Sequence, residues 1–220
     1  MTGHNRNRAV LWDMDGVLVD TEEYHFVSWK ETLGELGIPF NEVTFKQTFG
    51  MNNTGILERI YGRKLDADAI ARISDRKESL FRELIRGKAE LLAGVSHWLA
   101  QFQAWGLAQA VASSAPWENI EFLVAELDIA TFFDALLSGF DLPGKPNPDI
   151  FLKAADALHV HPQNCIVIED AIAGVEAAKR AGMKCVAVLT TNPASALEKA
   201  DRIFDHLDKM KEGDFVSLFA

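Results

Sequence analysis

The sequence predicts an α/β fold: a doubly wound parallel sheet with a small helical unit inserted after its first strand. Three observations predict it. Apolar runs at 9–12, 107–112, 135–137, 165–168 and 185–189 lack the polar alternation of a half-solvated strand, so they read as strands buried on both faces. From residue 89 these runs alternate with segments of helical period, as in strands joined by crossover helices. Between the first run and residue 89 the period is helical, with no convincing strand. We therefore expect a sheet core in residues 1–18 and 89–220 and a helical unit in 19–88.

The elements follow in order. Ala9-Val10-Leu11-Trp12 runs straight into Asp13-Met14-Asp15-Gly16. Residues two apart on a strand share a face, so Asp13 and Asp15 project together, and Gly16 lets the chain turn sharply. Phe26, Trp29, Leu33 and Leu36 then mark a helix ending near Gly37. A second begins at Asn53 or Thr54 and ends at Gly62. A third follows Asp66 as N-cap, carries Ile70, Ile73, Leu80 and Leu84, and closes at Gly87. Lys77 falls on the apolar face of that third helix. Its stem either snorkels along apolar surface or the face borders a cleft where the ammonium meets an anion. Arg76, one step off the stripe, reads as solvated.

Further on, Val95, Trp98, Leu99 and Phe102 give a helix ended by Gly106. Pro116 suits the first turn of the next, with Ile120, Leu123 and Leu127. Asn147-Pro148 reads as the cap of a helix holding Ile150, Phe151 and Ala154. A helix over 174–181 stops at Gly182, and Arg202-Ile203-Phe204 reads as a last strand.

Composition narrows the class. The 220 residues are 48% hydrophobic and 25% charged, ordinary for a globular chain. A net charge of −10 disfavours nucleic acid or an anionic membrane as main partner, though not a small anionic substrate held in a local pocket. Cys165 and Cys185 read as buried reduced thiols without zinc spacing. The polar start, Met1 to Arg8, lacks an apolar signal core, and no run reaches transmembrane length, so we expect a cytoplasmic protein, monomeric by default.

In a parallel sheet the strand ends share one edge. That edge would carry Asp13 and Asp15, Ser113, Lys145 in the loop after the third strand, and Glu169-Asp170. Each has an ordinary explanation: Asp-x-Asp-Gly is turn chemistry, Ser113-Ser114 a helix start, Lys145 a surface lysine, Glu169-Asp170 a cap. An EF-hand is a poor fit, since Gly stands fourth and Val fifth. Together, four clustered carboxylates demand a cation. All-oxygen ligands with room for water suit Mg²⁺, octahedral at about 2.0–2.1 Å.

These residues carry a resemblance. Asp13-Met14-Asp15-Gly16-Val17, Ser113, Lys145 within Gly-Lys-Pro-Asn-Pro-Asp-Ile-Phe, and Glu169-Asp170 before Ala171-Ile172-Ala173-Gly174 resemble, in order, the four motifs of the haloacid dehalogenase superfamily. The branch is that of β-phosphoglucomutase and small sugar-phosphate phosphatases. The resemblance spans nearly the whole chain and implies a Rossmann-like core with a helical cap. It implies Asp13 as nucleophile, Asp15 as general acid and base, and Ser113 and Lys145 as holders of the transferring phosphoryl. Mg²⁺ would sit on Asp13, Asp170 and the Asp15 backbone carbonyl, with Glu169 helping directly or through water. Thr21 and His25, within Asp20-Thr21-Glu22-Glu23-Tyr24-His25-Phe26, match the mutase hinge residues that tune the acid, and Lys77 matches a cap lysine that meets the substrate's phosphate. Asn52, Asn53 and Ser114 join the substrate-side candidates. The departure is at Gly50-Met51-Asn52-Asn53-Thr54, where the mutase has a Ser-Arg pair whose Arg grips the non-transferring phosphate. Neutral amides grip more weakly. The resemblance therefore favours hydrolysis of a small phosphorylated metabolite over mutase chemistry, and either over a non-catalytic phosphate-binding protein on the same scaffold.

Overall fold

The computed structural model describes residues 7–48 and 51–219. Met1 to Arg6 of the polar start, and Gly50 of the Gly50-to-Thr54 stretch, lie outside them. Six strands form one sheet: β1 Ala9–Trp12, β2 Ala108–Ser113, β3 Ala135–Ser138, β4 Cys165–Glu169, β5 Lys184–Val188 and β6 Arg202–Phe204. The order is β3-β2-β1-β4-β5-β6 and every pairing is parallel. Strand β1 is central, flanked by β2 and β4, with Trp12 level with Val111 on one side and Ile168 on the other. The winding direction reverses between β1 and β4. A crevice opens at the carboxyl ends of two strands that diverge in this way, and ligands bind there.

The strand period divides the core. Val10, Trp12, Val111, Ile166, Ile168, Val186 and Val188 face one layer, with Trp98, Phe102 and Phe215. Ala9, Leu11, Ala110, Cys165, Val167, Cys185 and Ala187 face the other, with Phe151 and Val175. The first layer contains α5 Val95–Ala104, α6 Trp117–Glu126 and α9 Glu212–Val216; the second contains α7 Asp149–Ala157 and α8 Ile172–Arg180. Residues of both faces of β1 are fully buried, which is why its sequence does not alternate. Both cysteines are free and buried, and burial pushes the Cys165 thiol up to about 12.

Among the described residues between β1 and α5 lie four helices: α1 Glu22–Glu35, α2 Glu42–Lys46, α3 Asn53–Tyr61 and α4 Ala67–Ile85. They have their own apolar cluster of Trp29, Leu33, Phe40, Phe45, Ile56 and Leu57. Helix α2 has no counterpart in the sequence reading. It is a single turn, started by the Asn41 side chain accepting from the Thr44 N–H at 3.0 Å, and is too short to show a period. One cap differs from expectation. Asn147 does not cap α7; its amide donates to the Gly144 carbonyl at 2.8 Å within its own loop, and Pro148 precedes the helix without a side-chain cap. Among the described residues no helix is long and apolar enough to cross a membrane.

Candidate active site

At the crevice the backbone brings three carboxylates together. The Asp13 N–H still donates to the Ile168 carbonyl at 3.0 Å, so β1 and β4 stay paired up to the point where Asp13 meets Glu169. Asp13, Glu169 and Asp170 place carboxylate oxygens within 4.8 Å of one another, all buried. The Lys145 ammonium donates to Asp13 Oδ1 and to Glu169 Oε1, both at 2.6 Å. The Lys145–Pro146 peptide is cis. The second Glu169 oxygen accepts from the backbone N–H groups of Asp170 (2.8 Å) and Ala171 (2.6 Å). So Glu169 both orders the approach to α8 and belongs to the acidic cluster. Thr191 donates its hydroxyl to Asp170, and the Asn192 amide donates to the Asp170 carbonyl at 3.1 Å.

Two glycines leave room for these acids. A Cβ on Gly16, whose φ is +77°, would overlap the Asp170 carboxylate, and a Cβ on Gly174 would overlap that of Glu169. Gly174 lies inside α8, where Ala is intrinsically better by about 1 kcal/mol. Overpacking a buried carboxylate costs about 1–3 kcal/mol, so the clash wins. Gly174→Ala is thus expected to lower the urea midpoint, whereas an exposed glycine such as Gly213 should gain or hold stability on the same change.

The electrostatics follow from burial. Burial raises Asp13 and outweighs Lys145; Glu169 and Asp15 add to the rise, and its pKa stands at about 7. Asp170 is raised well above its ordinary value by burial and by Glu169 and Asp13. Burial would lower Lys145, but Asp13 and Glu169 carry it above its ordinary value, so it remains an ammonium. Metal-free folded protein then keeps protons on Asp13 and Asp170 that the unfolded chain loses near the ordinary carboxylate pKa of 3.8. Its stability should therefore decline as pH rises from about 4 through about 7. A melting series across that window in chelator tests this, and Asp13→Asn should flatten the decline.

Asp15 behaves oppositely. Its Oδ1 accepts from Thr21 Oγ1 at 2.7 Å and lies 3.2 Å from His25 Nε2. Burial alone would raise it, but the His25 ring, these hydrogen bonds and the Lys77 ammonium hold it below its ordinary value. Lys77 Nζ lies 2.7 Å from His25 Nδ1. An ammonium donating to Nδ1 leaves Nε2 to carry the proton given to Asp15. His25 stacks on Phe81, ring centroids 4.1 Å apart.

One cavity is lined by Asp13, Asp15, His25, Asn53, Lys77, Ser114, Lys145, Glu169 and Asp170, together with Glu78 and an apolar wall of Trp29, Phe45, Met51 and Ile56. Five sequence candidates stand off it or differ in detail, and the first is Thr21, fully buried with its hydroxyl on Asp15. Ser113 is buried, its hydroxyl accepting from the Ala115 N–H at 3.0 Å, while Ser114 is the serine on the cavity wall. Asn52 caps α3 through the Gly55 N–H (3.0 Å) and donates to the Leu142 carbonyl (3.4 Å). The Asp15 carboxylate is outside the acidic cluster, so only its backbone could join it. Arg76 pairs with Glu35 on an exposed face.

The sequence reading missed Glu78, Thr191 and Asn192. Thr190-Thr191-Asn192 follow β5 as polar residues at a strand end, the same signal that singled out Glu169.

Comparison with known proteins bears on this geometry. A family model described as haloacid dehalogenase-like hydrolase matches residues 7–182. The chain is 36% identical over 189 residues to β-phosphoglucomutase of Bacillus subtilis strain 168, covering 82% of this chain and 83% of that protein. It is 30% identical over 202 residues to a phosphorylated carbohydrates phosphatase of Thermotoga maritima, covering 89% and 92%. The crystal structure of a β-phosphoglucomutase from Clostridium difficile superposes with a TM-score of 0.86 at 28% identity, covering 96% of each chain.

Proposed function

The chain belongs to the haloacid dehalogenase-like hydrolases, and from that premise we propose that it is a Mg²⁺-dependent phosphatase of small phosphate monoesters, sugar phosphates or molecules of similar size. The observation that carries the reading is the single cavity in which Asp13, bound to Lys145 beside two further carboxylates, faces Asp15, bound to Thr21 and His25. Without metal, burial raises Asp13, and His25 and Thr21 outweigh burial at Asp15, the reverse of what a nucleophile and a general acid need, so a cation would be required to ionise Asp13 and an anionic phosphate to raise Asp15.

Asp13 attacks phosphorus, forming an aspartyl-phosphate and splitting one difficult displacement into two. Asp15 gives a proton to the departing oxygen, then takes one from the incoming water, which returns Asp13 and releases phosphate. Lys145 and the Ser113-Ser114 turn hold the transferring phosphoryl, Lys145 by charge and the turn by its hydroxyl and N–H groups. Three buried carboxylates sharing one ammonium are a hard, anionic, all-oxygen set, which suits Mg²⁺. Held by Asp13, Glu169, Asp170 and the Asp15 backbone carbonyl, such an ion supplies charge neutralisation and Lewis acidity. Residues 19–88 act as a cap that keeps bulk water from the cleft, with His25, Asn53 and Lys77 facing the substrate, Thr21 acting through Asp15, and Asn52 holding the start of α3. The protein works as a cytoplasmic monomer.

A phosphorus NMR time course tests the reading. It uses Mg²⁺ and β-glucose 1-phosphate seeded with a trace of β-glucose 1,6-bisphosphate, beside a panel of sugar and short-chain monoesters. Accumulating inorganic phosphate, abolished by chelator, supports a phosphatase. Glucose 6-phosphate growing in with little free phosphate would make the chain a mutase.

A further inference from the structure

We propose that Glu78 is a specificity-determining residue, which cancels the charge of Lys77 on the cavity wall and so restricts the cleft to substrates bearing a single phosphate. The proposal rests on the phosphatase reading and concerns the end of the substrate away from the reacting phosphorus.

Lys77 is 1% exposed, lies on the cavity and has its ammonium 5.4 Å from the Trp29 ring centroid and 5.2 Å from that of Phe81. A buried ammonium beside a phosphate-binding centre would ordinarily attract a second phosphate. Here it donates instead to Glu78 Oε1 at 3.0 Å. Glu78 is itself 5% exposed and firmly held. Asn53 Nδ2 donates to the same oxygen at 2.8 Å, and Asn119 Nδ2, from α6, donates to the other at 2.6 Å. Asn119 is fixed in turn by Arg82 at 2.6 Å. Burial would raise Glu78, but the Lys77 ammonium and the hydrogen bonds from Asn53 and Lys77 hold it below its ordinary value, so it is a carboxylate.

The charge count of the cavity follows. Among the described residues its Lys and Arg are Lys77 and Lys145, with no arginine on the wall; Lys145 is engaged by Asp13 and Glu169 at the reacting end. At the far end Lys77 and Glu78 sum to zero. A second phosphate dianion there would find no net counter-charge and would meet a fixed carboxylate in a low-dielectric wall, a juxtaposition worth roughly 100-fold in affinity. The rest of that wall is Trp29, Phe45, Met51 and Ile56. The leaving group it accepts is uncharged, with an apolar face and hydroxyls within reach of Asn53.

The test measures binding of glucose 6-phosphate and glucose 1,6-bisphosphate by calorimetry with Mg²⁺. An Asp13→Asn background keeps both ligands intact. The monophosphate is expected to bind at least tenfold more tightly. Adding Glu78→Gln, which keeps the shape and removes the charge, should raise bisphosphate affinity relative to monophosphate tenfold or more. A bisphosphate that binds the parent as tightly as the monophosphate overturns the proposal. So does a Glu78→Gln variant that shifts both affinities equally, the mark of a purely structural link between α4 and α6. Binding of neither ligand overturns it too. If Glu78→Gln does not fold, the parent's preference decides alone. Phosphate release by the wild-type chain is scored separately, so the phosphatase reading can stand when this proposal falls.

Discussion

Replacing Asp13 with Asn should abolish phosphate release, by about 10⁴-fold or more, in a chain that remains folded. The amide has the size of the carboxylate but is a far poorer nucleophile towards phosphorus. The fold has reason to tolerate it. In the metal-free state Asp13 is one of three buried acids within 4.8 Å of one another, and its own pKa of about 7 records how poorly its charge is accommodated. Asn removes that repulsion, and Lys145 keeps its 2.6 Å bond to Glu169. Activity and metal-free melting temperature should therefore move in opposite directions: turnover lost, melting temperature at neutral pH unchanged or raised. A non-catalytic binding protein on this scaffold would release no phosphate before the change either, so wild-type turnover beside the variant separates the two classes.

Replacing Lys145 with Ala should damage both. It removes the one ammonium between Asp13 and Glu169 and leaves two buried carboxylates facing each other, a loss of about 3–5 kcal/mol when one member of a buried pair is deleted. The aliphatic stem matters less than the charge, although the ammonium also sits 5.0 Å from the Phe151 ring centroid. Lys145→Met should keep the packing and still lose most of that stability. Saturating Mg²⁺ should restore part of it, because a cation among the same oxygens offsets the missing charge, while phosphate release stays low for want of the phosphoryl ligand. Urea unfolding with and without Mg²⁺ reads the first effect. Equal midpoints for wild type and Lys145→Ala in chelator would show that the ammonium contributes nothing to the fold.

The fold was legible because a parallel sheet writes itself plainly. Buried runs such as 9–12 and 165–168 are unbroken and apolar, and the polar residue that follows each stands out. Lys77 was visible for a similar reason, a charge at an apolar helical position. What the sequence could not show is where adjacent polar residues point. Asn52 and Asn53 look alike, yet the N-cap position turns Asn52 back onto its own helix and leaves Asn53 to reach Glu78. Ser113 and Ser114 divide in the same way, one closing a turn and one lining the cavity. Glu78 gave no signal, because its burial depends on Asn119, 41 residues away on another helix. Local period carries no information about a partner that only tertiary packing supplies.

The position of β1 also governs the order in which the molecule can be made. Among the strands of this sheet it comes earliest in the chain and is also an inner one, with partners beginning at Ala108 and Cys165. At about 5–20 residues per second, a ribosome leaves it without its first partner for roughly 5–20 s and without its second for roughly 8–30 s. The helices between Glu22 and Ile85, with an apolar cluster of their own, leave the ribosome before either partner does. A nascent chain thus carries Asp13 harmlessly in water while its neighbours are still unmade. The crowding of negative charge begins only when Glu169 and Asp170 leave the exit tunnel, so the need for a cation arises late in the life of the growing polypeptide, with the sheet closing around it.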